Sequence, residues 1–165
     1  MVASGFNRTE YLRLMDTSSP RVGYGEVEWS SNDTKHTGTF ELNIDPGMTL
    51  PLEFLICVNE LRSDEPTFPL KLNGMHAARI DVNGMHRFEG ERVARRSTHF
   101  QCHEYGASGS LATREIPVPP FPALSKGVNV SYEAELKRCF RESVAWLNVD
   151  VSGVVWSPLP FEGGK

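Results

Sequence analysis

Apolar residues recur at every second position along much of this chain, and that period predicts β-strands. In TGTFELNI, Phe40, Leu42 and Ile44 alternate with Glu41 and Asn43, and GEVEW before it follows the same rule. TLPLEFLICVNE sets Leu50, Leu52, Phe54, Ile56 and Val58 on one face and Leu55 and Cys57 on the other, the two-sided pattern of a central strand. LKLN, HAARIDVN and STHFQCHEY read as three further strands, and VDVSGVVW as the last. Turn chemistry separates them: SSNDTKHTG, Asp45-Pro46-Gly47, and the dipeptides Asn73-Gly74 and Asn83-Gly84.

The period turns helical twice. TEYLRLMD predicts a short N-terminal helix, with Asn7 or Thr9 as its cap and Tyr11, Leu12 and Met15 on a shared face. SYEAELKRCFRESVAWLN predicts a longer one, with Ser131 as cap and Glu133 and Glu135 at the positive end of the dipole. Its apolar stripe is Tyr132, Leu136, Phe140, Val144 and Leu147, and Glu133 with Lys137 forms an i,i+4 pair on the solvent side. The proline-rich stretch IPVPPFPALSKG reads as a surface connection over 117–127 rather than as a ladder-forming strand, and 160–165 as a mobile tail. Together these elements predict a single α+β domain over 1–165. Its mainly antiparallel sheet carries a short N-terminal helix and a longer C-terminal helix packed on it.

Composition narrows the function classes. A length of 165 residues suffices for one hydrophobic core. The formal net charge of −4 gives no basic footprint of the kind that drives sequence-independent binding to a phosphate backbone. Arg87, Arg92, Arg95 and Arg96 are interrupted by Glu89 and Glu91 and read as a solvated loop. No basic start followed by an apolar core opens the chain, and no apolar run approaches the roughly 18 residues of a membrane span, so a cytoplasmic location without membrane contact is expected. The three cysteines, Cys57, Cys102 and Cys139, include no C-x-x-C pair and are expected to be reduced and buried, with no cofactor and no metal. Nucleotide-loop, nucleophile-elbow, zinc-protease and dinucleotide fingerprints are all missing.

One stretch carries candidate chemistry. Along STHFQCHEY, alternation places His99, Gln101, His103 and Tyr105 on one face, and along HAARIDVN it separates Arg79 and Asp81 from Ala78, Ile80 and Val82. Antiparallel pairing of these strands would set Arg79 and Asp81 beside His103 and His99, with His86 arriving from the connecting loop and Tyr105 at the rim. Such a patch fits cleavage of a phosphodiester: one imidazole takes a ribose hydroxyl proton, a second protonates the leaving oxygen, Arg79 stabilises phosphate charge and Asp81 fixes a tautomer. Metal ligation fits less well, because His99 and His103 lie four strand rises apart. An ordinary solvated sheet face carries the same residue types, and that reading stays open.

The segment ARIDVNGMHRFEGERVARRSTHFQCHEYG resembles small bacterial and phage proteins with an R-x-D, loop histidine, H-x-H-x-Y pattern, some of them from toxin–antitoxin or other mobile-element conflict loci. Arg79, Asp81, His86, His103 and Tyr105 match, whereas Gln101 stands at the first histidine of H-x-H and His99 takes its place nearby. The resemblance implies a role in conflict between phage and host. Two functions follow as expectations. The first is a small acidic interaction protein, an inhibitor or regulator that docks on a larger protein; the second is a metal-independent ribonuclease acting on RNA through Arg79, Asp81, His86, His99, His103 and Tyr105.

Overall fold

The computed structural model describes residues 8–16, 21–44, 51–105, 111–122, 124 and 131–161. It has the expected α+β architecture. In chain order the elements are α1 (Arg8–Met15), β1 (Arg21–Asn32), β2 (Lys35–Ile44), β3 (Leu52–Asn59), β4 (Thr67–Leu72), β5 (Met75–His86), β6 (Arg95–Tyr105), β7 (Leu111–Pro117), α2 (Tyr132–Trp146) and β8 (Val149–Val155). They form one eight-stranded sheet in the order β7-β6-β5-β4-β3-β2-β1-β8. Strands β1 to β7 are an antiparallel meander, and β8 joins the far edge parallel to β1. The expected Asp45-Pro46-Gly47 turn, the Asn7 cap and the end of the tail lie outside the described residues.

The core gathers on the face where α2 packs. Phe54 is fully buried, and its ring centroid lies 5.3 Å from Phe40, 6.4 Å from Phe68 and 5.9 Å from Phe140, so three adjacent strands and the helix meet at one aromatic cluster. Tyr132, Leu136, Phe140, Val144 and Leu147 are all buried, as the stripe predicts. Lys137 and Glu133 pair at 2.6 Å. Ser131 precedes the helix in a helical conformation and its side chain makes no capping bond, so it contributes only its carbonyl, which accepts the first helical bond from the Glu135 amide. On the core side of β2, a Cβ at Gly38 would come within 2.8 Å of Val27, which is why a glycine fits beneath the Val27 and Trp29 side chains. Helix α1 is pinned by the Tyr11 hydroxyl, which accepts from the His103 amide at 2.9 Å. All three cysteines are free, and burial raises each thiol, that of Cys139 to about 12.

Three expectations are corrected. The strand read as LKLN begins earlier, at Thr67, and contains Pro69. The β3–β4 ladder passes from Phe54–Leu70 to Cys57–Thr67, and the gap falls where Pro69 has no amide to give. The proline-rich connection is also strand at its start: Ile116 and Pro117 close the β6–β7 ladder opposite Phe100 and His99. A proline is tolerated there because β7 is the sheet edge. Finally, Asn73-Gly74 is the tight turn expected, with φ of 50° and 75°, but Asn83-Gly84 lies inside β5. Asn83 has the same left-handed φ, 54°, and uses it to form a bulge.

Candidate functional site

The bulge builds the site. Arg79 and Asp81 point away from the core, and strict alternation beyond them would turn His86 inward. The register instead passes from Asp81–His99 to Gly84–Ser97, so β5 carries one extra residue and the parity flips. His86 therefore joins the face of Asp81 and His99. It is the last residue of β5, paired with Arg95, and not part of the connecting loop as the sequence suggests. The bulge is held by Asn83, whose side chain donates to the Asp64 carbonyl at 2.9 Å and whose amide donates to Thr98 Oγ1 at 3.2 Å. Arg96 clamps it from outside, reaching the Asn83 carbonyl at 3.2 Å and Asp64 at 2.7 Å.

Within this frame the His86 and His99 rings stack, with centroids 4.3 Å apart and planes 27° from parallel. Phe88 closes one side, its ring edge-on to His86 at 4.5 Å, and Arg95 lies over Phe88 at 5.2 Å. Beneath the stack, His99 Nε2 lies 3.3 Å from Asp81 Oδ2, and Arg79 Nε lies 2.9 Å from the same oxygen. His99 is 3% exposed and Asp81 7%, so the pair is buried, with one arginine at its rim. Burial works against a charged His99 imidazole, but the hydrogen bond and Coulombic attraction of Asp81, with help from the Ser97 carbonyl and Glu115, outweigh it and raise its pKa. Gly84 lies over the pair: a Cβ there would sit 3.8 Å from both Asp81 Cβ and His99 Cε1.

Strand β7 supplies a residue the sequence did not reveal. His86 Nε2 lies 2.6 Å from Glu115 Oε2, and Gln101 donates to the other Glu115 oxygen at 3.1 Å. The contacts of Arg79 Nε and His86 Nε2 are close in distance but miss hydrogen-bond angles. Of five buried side-chain polar atoms without a hydrogen-bond partner among the described residues, three belong to this cluster: Arg79 Nε, Asp81 Oδ1 and His86 Nε2. Native interiors leave few such atoms, and three of these lie together here. The cluster opens into a depression of about 560 Å³ that Asn59, Arg62, Glu65, Thr67 and Met85 also line.

Four of the six expected residues thus come together: Arg79, Asp81, His86 and His99. His103 does not line the depression. Arg79 pairs with Gln101, not with His103, which lies further along β6 with Nδ1 3.5 Å from Thr113 Oγ1. Tyr105 ends β6 opposite Leu111, and its side chain lies outside what the structure describes. Among the described residues no three His, Cys, Asp or Glu side chains are placed to hold one metal ion. A separate histidine, His36, joins Ser31 Oγ at 2.8 Å to Glu60 Oε1 at 2.6 Å and ties the β1–β2 hairpin to the turn after β3. No helix of the described residues is long and apolar enough to cross a membrane. No protein-family model matches the chain, and neither a curated protein nor a solved structure matches it.

Proposed function

We propose that the depression over β5 and β6 cleaves RNA without a metal, the second of the two functions expected from the sequence. The observation that carries this reading is the stack of His86 on a buried His99–Asp81 pair, with buried polar atoms that lack a well-aligned hydrogen bond beside it. The more exposed His86 removes the proton of a ribose 2′-hydroxyl, whose oxygen attacks the adjacent phosphorus. His99, kept protonated by Asp81, gives its proton to the departing 5′-oxygen, leaving a 2′,3′-cyclic phosphate and a free 5′-hydroxyl. Arg79 faces the charge that grows on the phosphate, in a setting where a fixed cation counts for more than in water.

The test is cleavage of a single-stranded oligoribonucleotide with EDTA present. His86→Ala and Arg79→Ala should each lower the rate by a factor of about 100 to 10,000 with little change in melting, and His103→Ala, outside the depression, should leave it unchanged. No cleavage by the unaltered chain, or equal cleavage by all variants, overturns the reading.

The docking function, as an inhibitor or regulator in phage–host or mobile-element conflict, has one observation of its own. Leu61, Met85 and Val93 are large apolar side chains left exposed at the end of the sheet where the depression opens. If that end is a docking surface, Leu61→Ser with Met85→Ser should abolish partner capture while RNA cleavage stays absent in every variant.

A further inference from the structure

The β1–β2 hairpin sets a hydroxyl, an imidazole and a carboxylate in one line. Ser31 and His36 stand directly opposite each other in the ladder, with the Asn32–Lys35 pair between them and the Asp33-Thr34 turn, so their side chains share a face. Asp33 takes the left-handed φ, 56°, that a two-residue turn asks for. Glu60 opens the single helical turn after β3, and its amide donates to the Thr34 carbonyl at 2.9 Å, which brings it up to the hairpin. Ser31 Oγ then lies 2.8 Å from His36 Nδ1, and His36 Nε2 lies 2.6 Å from Glu60 Oε1.

The carboxylate decides which way the protons point. An ionised carboxylate only accepts, so Glu60 takes the Nε2 proton and the neutral ring is left with a lone pair at Nδ1. Ser31 therefore donates its hydroxyl proton to the ring. His36 is 5% exposed, and the Phe161 ring covers it with centroids 4.2 Å apart and planes 31° from parallel, so the imidazole is held in place. Ser31, by contrast, is open to solvent. A reachable hydroxyl whose proton is held by a fixed base, with a carboxylate behind that base, is the constellation of an activated nucleophile, and it is recognised by geometry and not by fold. The two ring nitrogens have exchanged the places they take in the serine-protease form of that constellation, but either nitrogen can carry the proton.

We propose that Ser31 is the nucleophile of an acyl-transfer site, with His36 as its base and Glu60 as the positioning residue, and that its substrates are carboxylic esters with an acidic leaving group, such as aryl esters. Ser31 Oγ attacks the ester carbonyl carbon as its proton passes to His36 Nδ1, and Glu60 stabilises the imidazolium. The adduct collapses: the bond to the leaving oxygen breaks, that oxygen keeps the electron pair, and His36 returns the proton to it. Water then attacks the acyl-serine, giving one proton to His36 Nδ1, and Ser31 departs with that proton, so ester and water become acid and alcohol. An acidic leaving group departs readily, which suits a hydroxyl that lies open on a hairpin. The site is separate from the histidine cleft, and neither reading depends on the other.

The probe is 4-nitrophenyl acetate, mixed with the full chain at neutral pH, with nitrophenolate release followed by absorbance and the acetylated residue located by mass spectrometry of peptides. Ser30 is the internal control, an exposed neighbour whose hydroxyl bonds the Thr37 carbonyl and not an imidazole. Acetylation of Ser31 should run about 100-fold or more faster than that of Ser30. Ser31→Ala, at an exposed position, should remove this reaction while the melt and any RNA cleavage stay unchanged. Glu60→Gln should lower the maximal acylation rate by about tenfold or more without changing the ester concentration at half-saturation, the sign of an interaction made only in the transition state. Equal acetylation of Ser30 and Ser31, or nitrophenolate release by Ser31→Ala as fast as by the unaltered chain, overturns the proposal. The comparison of the two serines is made on the unaltered chain, so it stands even if a variant of the buried His36 fails to fold.

Discussion

Strands β5 and β6 present two faces made by alternate residues of the same few turns of chain, and the faces are organised by different physics. Inward, Ile80, Val82 and Cys102 are buried by contact with other apolar groups. Outward, Asp81 and His99 are buried nearly as well, yet what holds them is charge, and the atoms around them are incompletely paired. An apolar side chain gains from burial whatever its exact neighbours, whereas a buried ion loses hydration and recovers it only through particular partners. The inner face therefore tolerates conservative substitutions and the outer one does not.

Truncation at the centre of the inner face should have the largest effect on stability. Phe54→Ala removes a ring in contact with three others and should cost about 3–5 kcal/mol, read as a lower urea midpoint. On the outer face, Asp81→Ala at pH 5.5 leaves the buried His99 without its counter-charge. The cost should be smaller, about 1–3 kcal/mol, because His99 can relax by losing its proton. The pH dependence separates the faces further. The folded pKa of His99 lies above its unfolded value, so its contribution is fully present below about 6.5 and is lost as pH rises through the folded pKa. Melts of the unaltered chain and His99→Gln should accordingly converge as pH rises across that window. A constant gap would mean that the His99–Asp81 pair is not a charged one. Asn83→Val forces a β-branched residue into a left-handed conformation and should cost about 1–2 kcal/mol while displacing His86, so cleavage should fall further than stability. The smallest effect belongs to the solvent side of α2, where Lys137→Ala should change the melt by no more than about 0.5 kcal/mol.

Where alternation or helical spacing involves many apolar residues, the sequence is easy to read: β3 and α2 stand where Phe54, Ile56 and Val58, and Leu136, Phe140 and Val144, place them. The outer face is harder. The pairing of Asp81 with His99 follows from parity alone, but His86 reaches them only through the bulge, and Asn83-Gly84 signals a left-handed backbone without saying whether it serves a turn or a bulge. Glu115 escaped notice because β7 is an edge strand whose Ile116 and Pro117 sit among prolines, so its period-two pattern is short and its ladder role looks forbidden. Arg21, whose terminal nitrogens donate to the carbonyls of Leu14 and Leu147 at the ends of α1 and α2, also gave no signal. An arginine at the head of a strand becomes a buried bridge only when two helix ends, separated in sequence, converge on it.

That bridge also bears on the order in which the molecule assembles. The meander from β1 to β7 is built from neighbours in sequence, hairpin upon hairpin, and contacts of that kind form quickly. The contact between Arg21 and Leu147 spans 126 residues, and the parallel β8 partner of β1 arrives with it. Until then β1 is an open edge and the aromatic cluster of Phe40, Phe54 and Phe68 has no helix over it. A chain that has formed the meander but not yet α2 and β8 is therefore expected to be adhesive, with its last elements acting as the cover. A fragment that stops before Tyr132 should show strand structure by circular dichroism and aggregate on standing, whereas the full chain stays monodisperse.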